Sequence, residues 1–306
     1  MTYLEGGMRC RGILKNSSKS QPLVSIITVV KNSREELSRT ILSTLAQDYP
    51  NIEYIVIDGG SDDRTLNIIK QFESELDLWI SERDYGIYDA MNKGIRLSHG
   101  DVIGFINSGD WYSNKAISTI AEEFIIDNRH QVVFGDVVIC DPHFNELYLA
   151  TVDKRKFDDG WLPHPAVFVK KEVYDEFGCF DMKLSISADY DFMLRINGHT
   201  RIKHIKRSLV NMMVGGVSAN QFFIKAKEDF FARKKNGIAF PRNLFLTMIG
   251  ILSPILNSII RSLSGKHEFR FESISTPLFF QKRNNFFSIK TENKQSNINK
   301  KQNLTG

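Results

Sequence analysis

The chain has 306 residues, of which 42% are hydrophobic and 25% charged, a balance typical of a globular protein with a substantial buried core. The three cysteines, Cys10, Cys140 and Cys179, are odd in number and widely spaced, which excludes a disulfide framework or a CxxC metal site and favours a reducing cytosol. The charge is uneven: residues 225–306 hold 15 Lys and Arg against 5 Asp and Glu, so they carry +10 and residues 1–224 carry −6.

The first predicted element follows a polar segment. Residues 1–21 contain no long apolar run, so we expect a flexible lead-in and no secretory signal. Residues 23–30 (LVSIITVV) are rich in β-branched side chains and predict a fully buried strand. Apolar residues then recur at helical intervals, which predicts a helix over residues 37–47.

The alternation of strands and helices continues to residue 106. Such alternation predicts an α/β fold whose central sheet is mostly parallel and flanked by helices. The predicted order is a strand at 51–58, a helix at 63–72, a strand at 76–81, a helix at 86–98 and a strand at 101–106.

Polar segments follow three of these strands. They are residues 31–35 (KNSRE), 58–63 (DGGSDD) and 107–111 (NSGDW). In α/β sheets, ligands bind beyond the carboxyl ends of the strands. We therefore expect the three segments to meet at one edge of the sheet and to form the site there.

The second half of the chain is less regular. Its patterns predict strands at residues 131–139 and 146–152, and helices at residues 170–178, 188–196 and 220–235.

The C-terminal part combines apolar and basic segments. Residues 244–263 are mostly apolar, but Pro254, Asn257 and Ser258 interrupt them, and a spanning helix needs about 20 apolar residues. The basic flanks favour a helix lying in the interface of an anionic membrane, with a helix that covers the protein body as the alternative. A solvated basic surface explains the same charge, and we expect no nucleic-acid partner.

The loop after the first strand distinguishes between classes of nucleotide-binding site. Residues 28–37 (TVVKNSREEL) lack the close-approach glycines of a dinucleotide-binding unit, and no P-loop sequence occurs in the chain. The alternative is a site where a carboxylate and a divalent cation hold a diphosphate, as in Mg²⁺ sites that use one or two protein carboxylates. Asp110 suits that role, and an N-cap for a helix in residues 113–120 is the competing interpretation of this residue.

Five segments in this order resemble the family-2 glycosyltransferases, which have the GT-A fold, over about residues 22–218. The resemblance is strongest to bacterial members that build surface polysaccharides. It implies a mixed, mostly parallel sheet flanked by helices, followed by a C-terminal helical extension. The segments are residues 25–33 (SIITVVKNS), 54–65 (YIVIDGGSDDRT), 86–95 (GIYDAMNKGI), 100–111 (GDVIGFINSGDW) and 187–196 (SADYDFMLRI).

The resemblance implies that the loop after the first strand and an aspartate after the second grip the base of a nucleotide donor. These positions are the backbone at Thr28, Val30 and Asn32, and the carboxylate of Asp58, for which a turn or N-cap role is the alternative. Many relatives have Tyr at the position of Lys31, so this chain departs from the family where the base would stack.

The third segment resembles a stretch that lines the nucleotide and sugar pocket. Asp89, Asn92 and Lys93 are the implied polar contacts, and for Lys93 a solvent-facing position is equally open. Many relatives have Arg where this chain has Met91.

The fourth segment corresponds to the acidic metal motif of the family. Gly109 stands where the first of two acids is common, and the last acid, Asp110, is present. The resemblance implies that Asp110 holds Mn²⁺ or Mg²⁺ against the diphosphate of the donor. Asn107 and Ser108 are then expected to contact ribose or sugar hydroxyls, and Gly109 to let the chain pass close to the sugar.

The last segment aligns with the catalytic base of the family. Glu-Asp is frequent there, and this chain has Ala188 and Asp189, so Asp189 is expected to deprotonate the acceptor hydroxyl in an inverting transfer. Trp161 and His164 are expected near the acceptor or the diphosphate, with loop or core packing as the alternative for both.

These expectations define an enzyme that moves a sugar from a nucleotide-diphosphate donor to a lipid-linked glycan acceptor at the inner face of the cell membrane. Two alternatives remain open: a nucleotidyltransferase, and a non-catalytic nucleotide- or glycan-binding protein with a decayed site. The expected divisions are a lead-in at 1–21, a GT-A catalytic domain at 22–218, a membrane-associating helical region at 219–281 and a disordered tail at 282–306.

Overall fold

The computed structural model describes residues 3–152, 162–215, 221–264 and 278–281. Within these ranges the strands are β1 Leu4–Gly6, β2 Val24–Val30, β3 Ile52–Asp58, β4 Leu78–Ser81, β5 Val102–Phe105, β6 Trp111–Tyr112, β7 Val132–Cys140, β8 Glu146–Val152, β9 Val167–Lys170, β10 Ile202–Met213 and β11 Leu278–Gln281. The α-helices are α1 Leu37–Leu45, α2 Thr65–Gln71, α3 Ile87–Leu97, α4 Ala116–Ile126, α5 Lys171–Phe177, α6 Ala188–Ile196, α7 Phe222–Lys235 and α8 Phe240–Ser264, and 3₁₀ helices cover Arg9–Arg11 and His164–Ala166.

The described strands form one mixed sheet in the order β1-β4-β3-β2-β5-β9-β7-β10-β6, with β8 beside β7 and β11 beside β8. The neighbours β4, β3, β2 and β5 are parallel, because helical crossovers return the chain to the same end of the sheet. β7 and β10 are also parallel, while β9 runs antiparallel to both β5 and β7. The predicted α/β fold with a mostly parallel sheet is confirmed.

The core lies on both faces of this sheet. All seven residues of β2 are buried, as expected for a central strand covered by helices on both sides. Side chains of α1, α2 and α4 pack on one face, and side chains of α3, α5 and α6 pack on the other. The two layers leave the ends of the strands as the place where loops meet.

The N-terminal segment is ordered against the sheet, which differs from the flexible lead-in predicted for residues 1–21. β1 pairs antiparallel with β4, and Met8 N donates to Leu76 O at 2.9 Å. The Arg9 guanidinium lies 3.2 Å from the Glu53 carboxylate. A three-residue edge strand held by backbone bonds has no apolar pattern, which is why it escaped prediction.

The C-terminal helices pack against one another. Arg233 Nε donates to Asn243 Oδ1 at 2.8 Å, and Asn243 Nδ2 donates to Phe230 O at 2.9 Å. None of the helices in the described ranges has both the length and the apolar character needed to cross a membrane. The tail predicted to be disordered, residues 282–306, lies outside the described residues.

Candidate active site

The register of the parallel strands places the three predicted segments along one edge. Val30, Asp58 and Ser81 are paired as the last residues of their strands. β5 ends earlier, with Phe105 opposite Ile27, so residues 106–110 run along the same edge. This edge is called the carboxyl edge below.

Hydrogen bonds join the loops at the carboxyl edge. Ser33 Oγ lies 2.8 Å from Ser108 Oγ, which connects the loops after β2 and β5. Asn32 N donates to Ser61 Oγ at 2.8 Å, and Asp62 N donates to Asn32 Oδ1 at 3.0 Å. The expected meeting of the three polar segments is confirmed.

Of the three residues proposed after the first strand, only Asn32 lies in a loop of the edge. Its φ of 51° is left-handed, a conformation that Asn tolerates better than most residues. Thr28 is fully buried, with Oγ1 3.0 Å from the hydroxyl of Tyr54. Val30 is buried as well, and its carbonyl accepts a hydrogen bond from Gly59 N at 2.9 Å.

Asp58 holds its own loop in place. Its carboxylate is fully buried and accepts hydrogen bonds from Ser61 N, Ser61 Oγ and Ser81 Oγ, the last at 2.6 Å. The turn interpretation from the sequence describes this arrangement. Three donors of the protein surround this carboxylate, and its contact to a base stays a prediction.

Asp84 is an acid at the carboxyl edge that was not among the predicted site residues. It lies half-buried against Gly59, so closely that a Cβ added to the glycine would clash with Asp84 Oδ2. Burial raises the pKa of the Asp84 carboxyl, although a hydrogen bond from Gly86 N and the charges of Lys31 and Lys93 act in the opposite direction. The signal available was its position two residues before the segment GIYDAMNKGI.

Lys93 takes part in a small charge cluster and does not face open solvent. Its Nζ lies 2.9 Å from Glu82 and 3.2 Å from Asp89, and its side chain is 17% exposed. Asp89 also accepts a hydrogen bond from Tyr85 N at 3.1 Å, so these ion pairs fix the start of α3. Asp89 and Lys93 thus adjoin the loop that carries Asp84.

The side chain of Asn92 connects α3 to the segment before α6 through two hydrogen bonds. Its Nδ2 donates to Phe180 O at 2.9 Å, and its Oδ1 accepts from Phe180 N at 3.0 Å. Both polar atoms of this buried side chain are therefore used by one residue of the protein, and the contact to a donor stays a prediction.

Asp110 is a buried carboxylate whose negative charge is stabilised by few neighbouring groups. It is 8% exposed, and Met213 N donates to Oδ1 at 3.2 Å. The N-cap of α4 is Lys115, so the N-cap interpretation of Asp110 is wrong. Burial raises the pKa of Asp110 to about 7, while the hydrogen bond from Met213 and the charge of Arg39 lower it. Near neutral pH the Asp110 carboxyl is therefore only partly ionised, and an additional positive charge would favour its ionised form.

Arg39 supports the turn that carries Asp110 and was not predicted. Its Nη2 donates to Gly109 O at 2.8 Å, and its guanidinium lies over the rings of Trp111 and Phe144 at 4.7 and 4.5 Å. Its Nε is buried without a hydrogen-bond partner in the described part of the chain.

Gly109 is required by the backbone conformation of this turn. Its φ is 104°, and an added Cβ would meet nothing closer than Glu36 Cβ at 3.9 Å. Space is therefore available for a side chain, but the left-handed φ disfavours one. Asn107 O accepts a hydrogen bond from Asp110 N at 3.1 Å, which closes the turn.

The oxygen atoms available as metal ligands at this turn suit a hard divalent cation. Asn107 Oδ1 is buried and has no hydrogen-bond partner within the described residues, and Asp110 supplies a carboxylate three positions later. No group of three or more His, Cys, Asp and Glu in the described ranges is arranged to hold a metal. One carboxylate and an amide oxygen match the few protein ligands of Mg²⁺ sites, where phosphate oxygens and water complete the shell.

Asp189 opens the first turn of α6 and is held from α3. The Tyr88 hydroxyl lies 2.9 Å from Asp189 Oδ1, and Tyr190 N donates to the same oxygen at 2.9 Å. Burial and the nearby charge of Asp189 raise the pKa of Tyr88, so its hydroxyl stays protonated. The Asp189 side chain itself is half-buried.

His164 is a buried residue that packs against two phenylalanine rings. Its ring stacks on Phe105 with centroids 5.1 Å apart and meets Phe180 edge-on at 5.6 Å. Burial lowers the pKa of His164, and the charge of Asp189 partly offsets that effect, so the imidazole is neutral at pH 7. Trp161, the other residue predicted for this region, lies outside the described residues.

Phe105 and His164 connect the two halves of the site. Phe105 ends β5 and leads into the turn of Asp110, while His164 precedes β9, which is antiparallel to β5 and therefore starts at the carboxyl edge. Asp189 contacts the hydroxyl of Tyr88, which lies in the first turn of α3, just after the carboxyl end of β4. The two predicted acids, Asp110 and Asp189, thus lie at the same edge of the sheet.

Comparison with known proteins identifies the class to which this arrangement belongs. Residues 25–181 match the model of glycosyl transferase family 2. An uncharacterized glycosyltransferase of Haemophilus influenzae is 33% identical over 233 residues, which cover 72% of this chain and 92% of the relative. The chain belongs to glycosyl transferase family 2 and is a glycosyltransferase.

Solved structures show the same GT-A fold. S. aureus TarS 1–349 in complex with UDP-GlcNAc has a TM-score of 0.55 at 16% identity, over 82% of this chain and 77% of that one. A mannosyltransferase from Pyrobaculum calidifontis in complex with GDP-Man and Mn²⁺ has a TM-score of 0.55 at 15% identity, over 85% and 86% of the two chains. The predicted GT-A architecture is confirmed.

Proposed function

We propose that the protein is a metal-dependent, inverting glycosyltransferase that transfers a sugar from a nucleotide-diphosphate donor to a hydroxyl group of a glycan. The observation that supports this most directly is that Asp110 follows β5 at the carboxyl edge and that Asp189 contacts Tyr88 at the start of α3, at the same edge. The solved structures of the same fold with UDP-GlcNAc and with GDP-Man and Mn²⁺ support a nucleotide-sugar donor.

The donor would lie across the loops of the carboxyl edge. The base would contact the loops after β2 and β3, where Asn32 and Ser61 are exposed or half-buried, and Asp84 would face it from the loop after β4. The ribose and the sugar would adjoin Asn107 and Ser108. This arrangement gives Asp58 the task of ordering the base loop through its serines.

The diphosphate would lie beside Asp110. Asp110 and Asn107 would hold Mn²⁺ or Mg²⁺, which when bound supplies Lewis-acid stabilisation of the charge on the departing nucleoside diphosphate. The raised pKa of Asp110 supports this role, because a bound cation restores the ionised form that burial disfavours.

Asp189 would act as the base that accepts the proton of the attacking hydroxyl. Two hydrogen bonds hold its Oδ1, so Oδ2 is the oxygen placed to take the proton. Neutral His164 would offer a hydrogen bond to the acceptor or the diphosphate without adding charge.

A transfer assay with a panel of donors tests this function. We expect thermal stabilisation by one nucleotide among UDP, GDP, dTDP and CMP, only when Mn²⁺ or Mg²⁺ is present, and sugar release or transfer from the matching donor. Cation-dependent binding without any turnover would favour the alternative of a non-catalytic binding protein. Equal stabilisation with and without the cation would contradict the proposed metal dependence.

We further propose that the acceptor is lipid-linked and that α8 brings the protein to the inner face of the cell membrane. α8 exposes large apolar side chains at intervals of three or four residues, and the region from Lys225 onward is basic. Such a helix is suited to the interface of an anionic bilayer. The exposed set is Phe240, Leu244, Phe245, Met248 and Leu252.

Flotation with lipid vesicles tests the membrane contact. The full chain is expected to float with phosphatidylglycerol vesicles and to stay behind with phosphatidylcholine vesicles. Replacing Phe245 and Met248 by Glu should abolish flotation, because both side chains are more than half exposed on α8, at 58% and 53%. Ile126→Glu on α4, where the side chain is 77% exposed, is the control and should float like the wild type. Flotation of the double variant would contradict the assignment of this face.

A further inference from the structure

We propose that Glu228 of α7 is a positioning residue for Asp189, so that a helix beyond the family-matched residues 25–181 completes the active site. This inference rests on the proposed role of Asp189 as the base. It concerns the way in which the first turn of α6 is held, and it goes beyond the roles assigned above.

Glu228 holds the segment just before α6 from another helix. Its Oε1 accepts hydrogen bonds from Ser185 N at 2.9 Å and Ser185 Oγ at 2.7 Å. Its Oε2 accepts from Ile186 N at 2.8 Å and from Ser187 N at 3.0 Å. Hydrogen bonds from N–H groups to a carboxylate are charge-assisted and stronger than those to a neutral acceptor.

The side chain of the N-cap residue does not stabilise the start of α6. Ser187 is the N-cap of α6 and makes no side-chain capping bond, and its Oγ is buried without a hydrogen-bond partner in the described part of the chain. N-cap serines normally bond the N–H groups of their own helix. The N–H groups before Asp189 are therefore ordered by α7.

The peptide unit between Ile186 and Ser187 links Glu228 to the proposed base. Its N–H, that of Ser187, donates to Glu228 Oε2 at 3.0 Å, and its carbonyl oxygen, that of Ile186, lies 2.6 Å from the Tyr88 hydroxyl. The same Tyr88 hydroxyl lies 2.9 Å from Asp189 Oδ1. Because the two oxygens share the single proton of this hydroxyl, a shift of the peptide between Ile186 and Ser187 changes the hydrogen bond that orients Asp189.

A second contact fixes the other side of Asp189. Asp191 is fully buried, and it accepts hydrogen bonds from Lys235 Nζ at 3.3 Å and Asn236 Nδ2 at 3.1 Å at the end of α7. Glu228 and Lys235 are seven positions apart, which places them on one face of α7. Residues of α7 and its C-cap thus form hydrogen bonds with the chain both before and after Asp189.

Apolar packing between α6 and α7 adds to these hydrogen bonds. Tyr190 and Leu194 of α6 form a buried cluster with Ala232 of α7, and Ile238 packs against it. A catalytic group displaced by about 1 Å can lose on the order of 10²-fold in rate. The first turn of α6 therefore depends on α7 for the precision that base catalysis requires.

Glu228→Gln in the full chain tests the inference by two readouts. An amide offers one acceptor oxygen where the carboxylate offers two, so the N–H groups of residues 185–187 lose part of their hydrogen bonding. We expect faster hydrogen exchange in residues 185–191, a kcat lowered by roughly 10- to 100-fold, and a donor dissociation constant like that of the wild type. Glu176→Gln on the exposed side of α5 is the matched control and should change none of these.

Lys235→Met is a second variant that keeps the inference testable if Glu228→Gln does not fold. It removes the Asp191 contact from the exposed end of α7 and should lower kcat by a smaller factor, again at unchanged donor affinity. Unchanged exchange in residues 185–191, or faster exchange with a wild-type kcat, would overturn the inference. Loss of kcat and of donor affinity together would also overturn it, since that pattern describes general unfolding. A wild-type protein that binds donor but transfers no sugar would instead refute the proposed function, and with it this inference.

Discussion

Replacing Asp189 by Asn is expected to lower kcat by about 10² to 10⁴-fold, the usual contribution of a positioned general base. Asn has nearly the same shape and keeps an oxygen that can accept from Tyr88 and Tyr190 N, so α6 and the donor site should be unchanged. The measurement is steady-state transfer combined with a titration of the nucleoside diphosphate in the presence of Mn²⁺.

A matched substitution separates the loss of the base from a general loss of charge. Asp175→Asn removes an exposed carboxylate of α5 and should retain wild-type kcat. If Asp189→Asn turned over at the wild-type rate, another group would be the base. If its donor affinity fell as strongly as its kcat, Asp189 would belong to the donor site.

Asp110→Asn is expected to stabilise the metal-free protein at pH 8 and to abolish the effect of the cation on donor binding. Burial raises the pKa of Asp110 from its ordinary value near 3.8 to about 7, so the ionised side chain costs free energy in the folded state. Because a tenfold change in an acid dissociation constant corresponds to about 1.4 kcal/mol, the upper limit of this cost is roughly 4 kcal/mol. Thermal unfolding of both proteins, with and without Mn²⁺ and nucleoside diphosphate, measures the two effects.

The difference in stability between the wild type and Asp110→Asn depends on pH because the pKa of Asp110 is raised in the folded protein. Below about pH 4 the carboxyl group is protonated in the folded and unfolded states alike, so it contributes no pH-dependent difference. As the pH rises from about 4 to 7, the unfolded chain releases the proton and the folded one retains it, so the wild type loses stability relative to Asp110→Asn. Once the carboxyl group is ionised in the folded protein as well, above about pH 7, the difference in stability stays constant. A variant that is less stable than the wild type at pH 8, or one that still needs Mn²⁺ to bind donor, would contradict this assignment.

The architecture of the catalytic half was predictable because its signals are local. β-Branched runs such as residues 23–30 have few other stable arrangements than a buried strand, and the alternation with helices then requires parallel pairing. Parallel pairing places the loop ends together, so the site around Asp110 followed from the order of the elements. These inferences needed no knowledge of side-chain partners.

The partners of individual side chains were not predictable, since they come from distant parts of the chain. Asp58 is enclosed by Ser81, which the β3–β4 register brings opposite it. Lys93 suited solvent and a ligand equally well by sequence, because only the fold places Glu82 beside it. The contact of Asp191 with Lys235 likewise depends on the packing of α7.

The N-terminal segment and the cap of α6 show the same limit. Residues 4–6 pair with an edge strand through backbone bonds that leave no trace in the order of apolar side chains. Ser187 is of a residue type typical of an N-cap but makes no capping bond with its side chain, and its N–H donates to Glu228, more than forty positions later in the chain.

A crystal structure of the full chain with Mn²⁺ and an unreactive nucleotide-diphosphate sugar tests the central claim most directly. We predict an anomalous-scattering peak about 2.0–2.2 Å from an Asp110 carboxylate oxygen, in contact with the diphosphate. We also predict that Asp189 lies on the face of the anomeric carbon opposite the diphosphate. A diphosphate bound away from Asp110, or a sugar whose open face points away from Asp189, would contradict that claim.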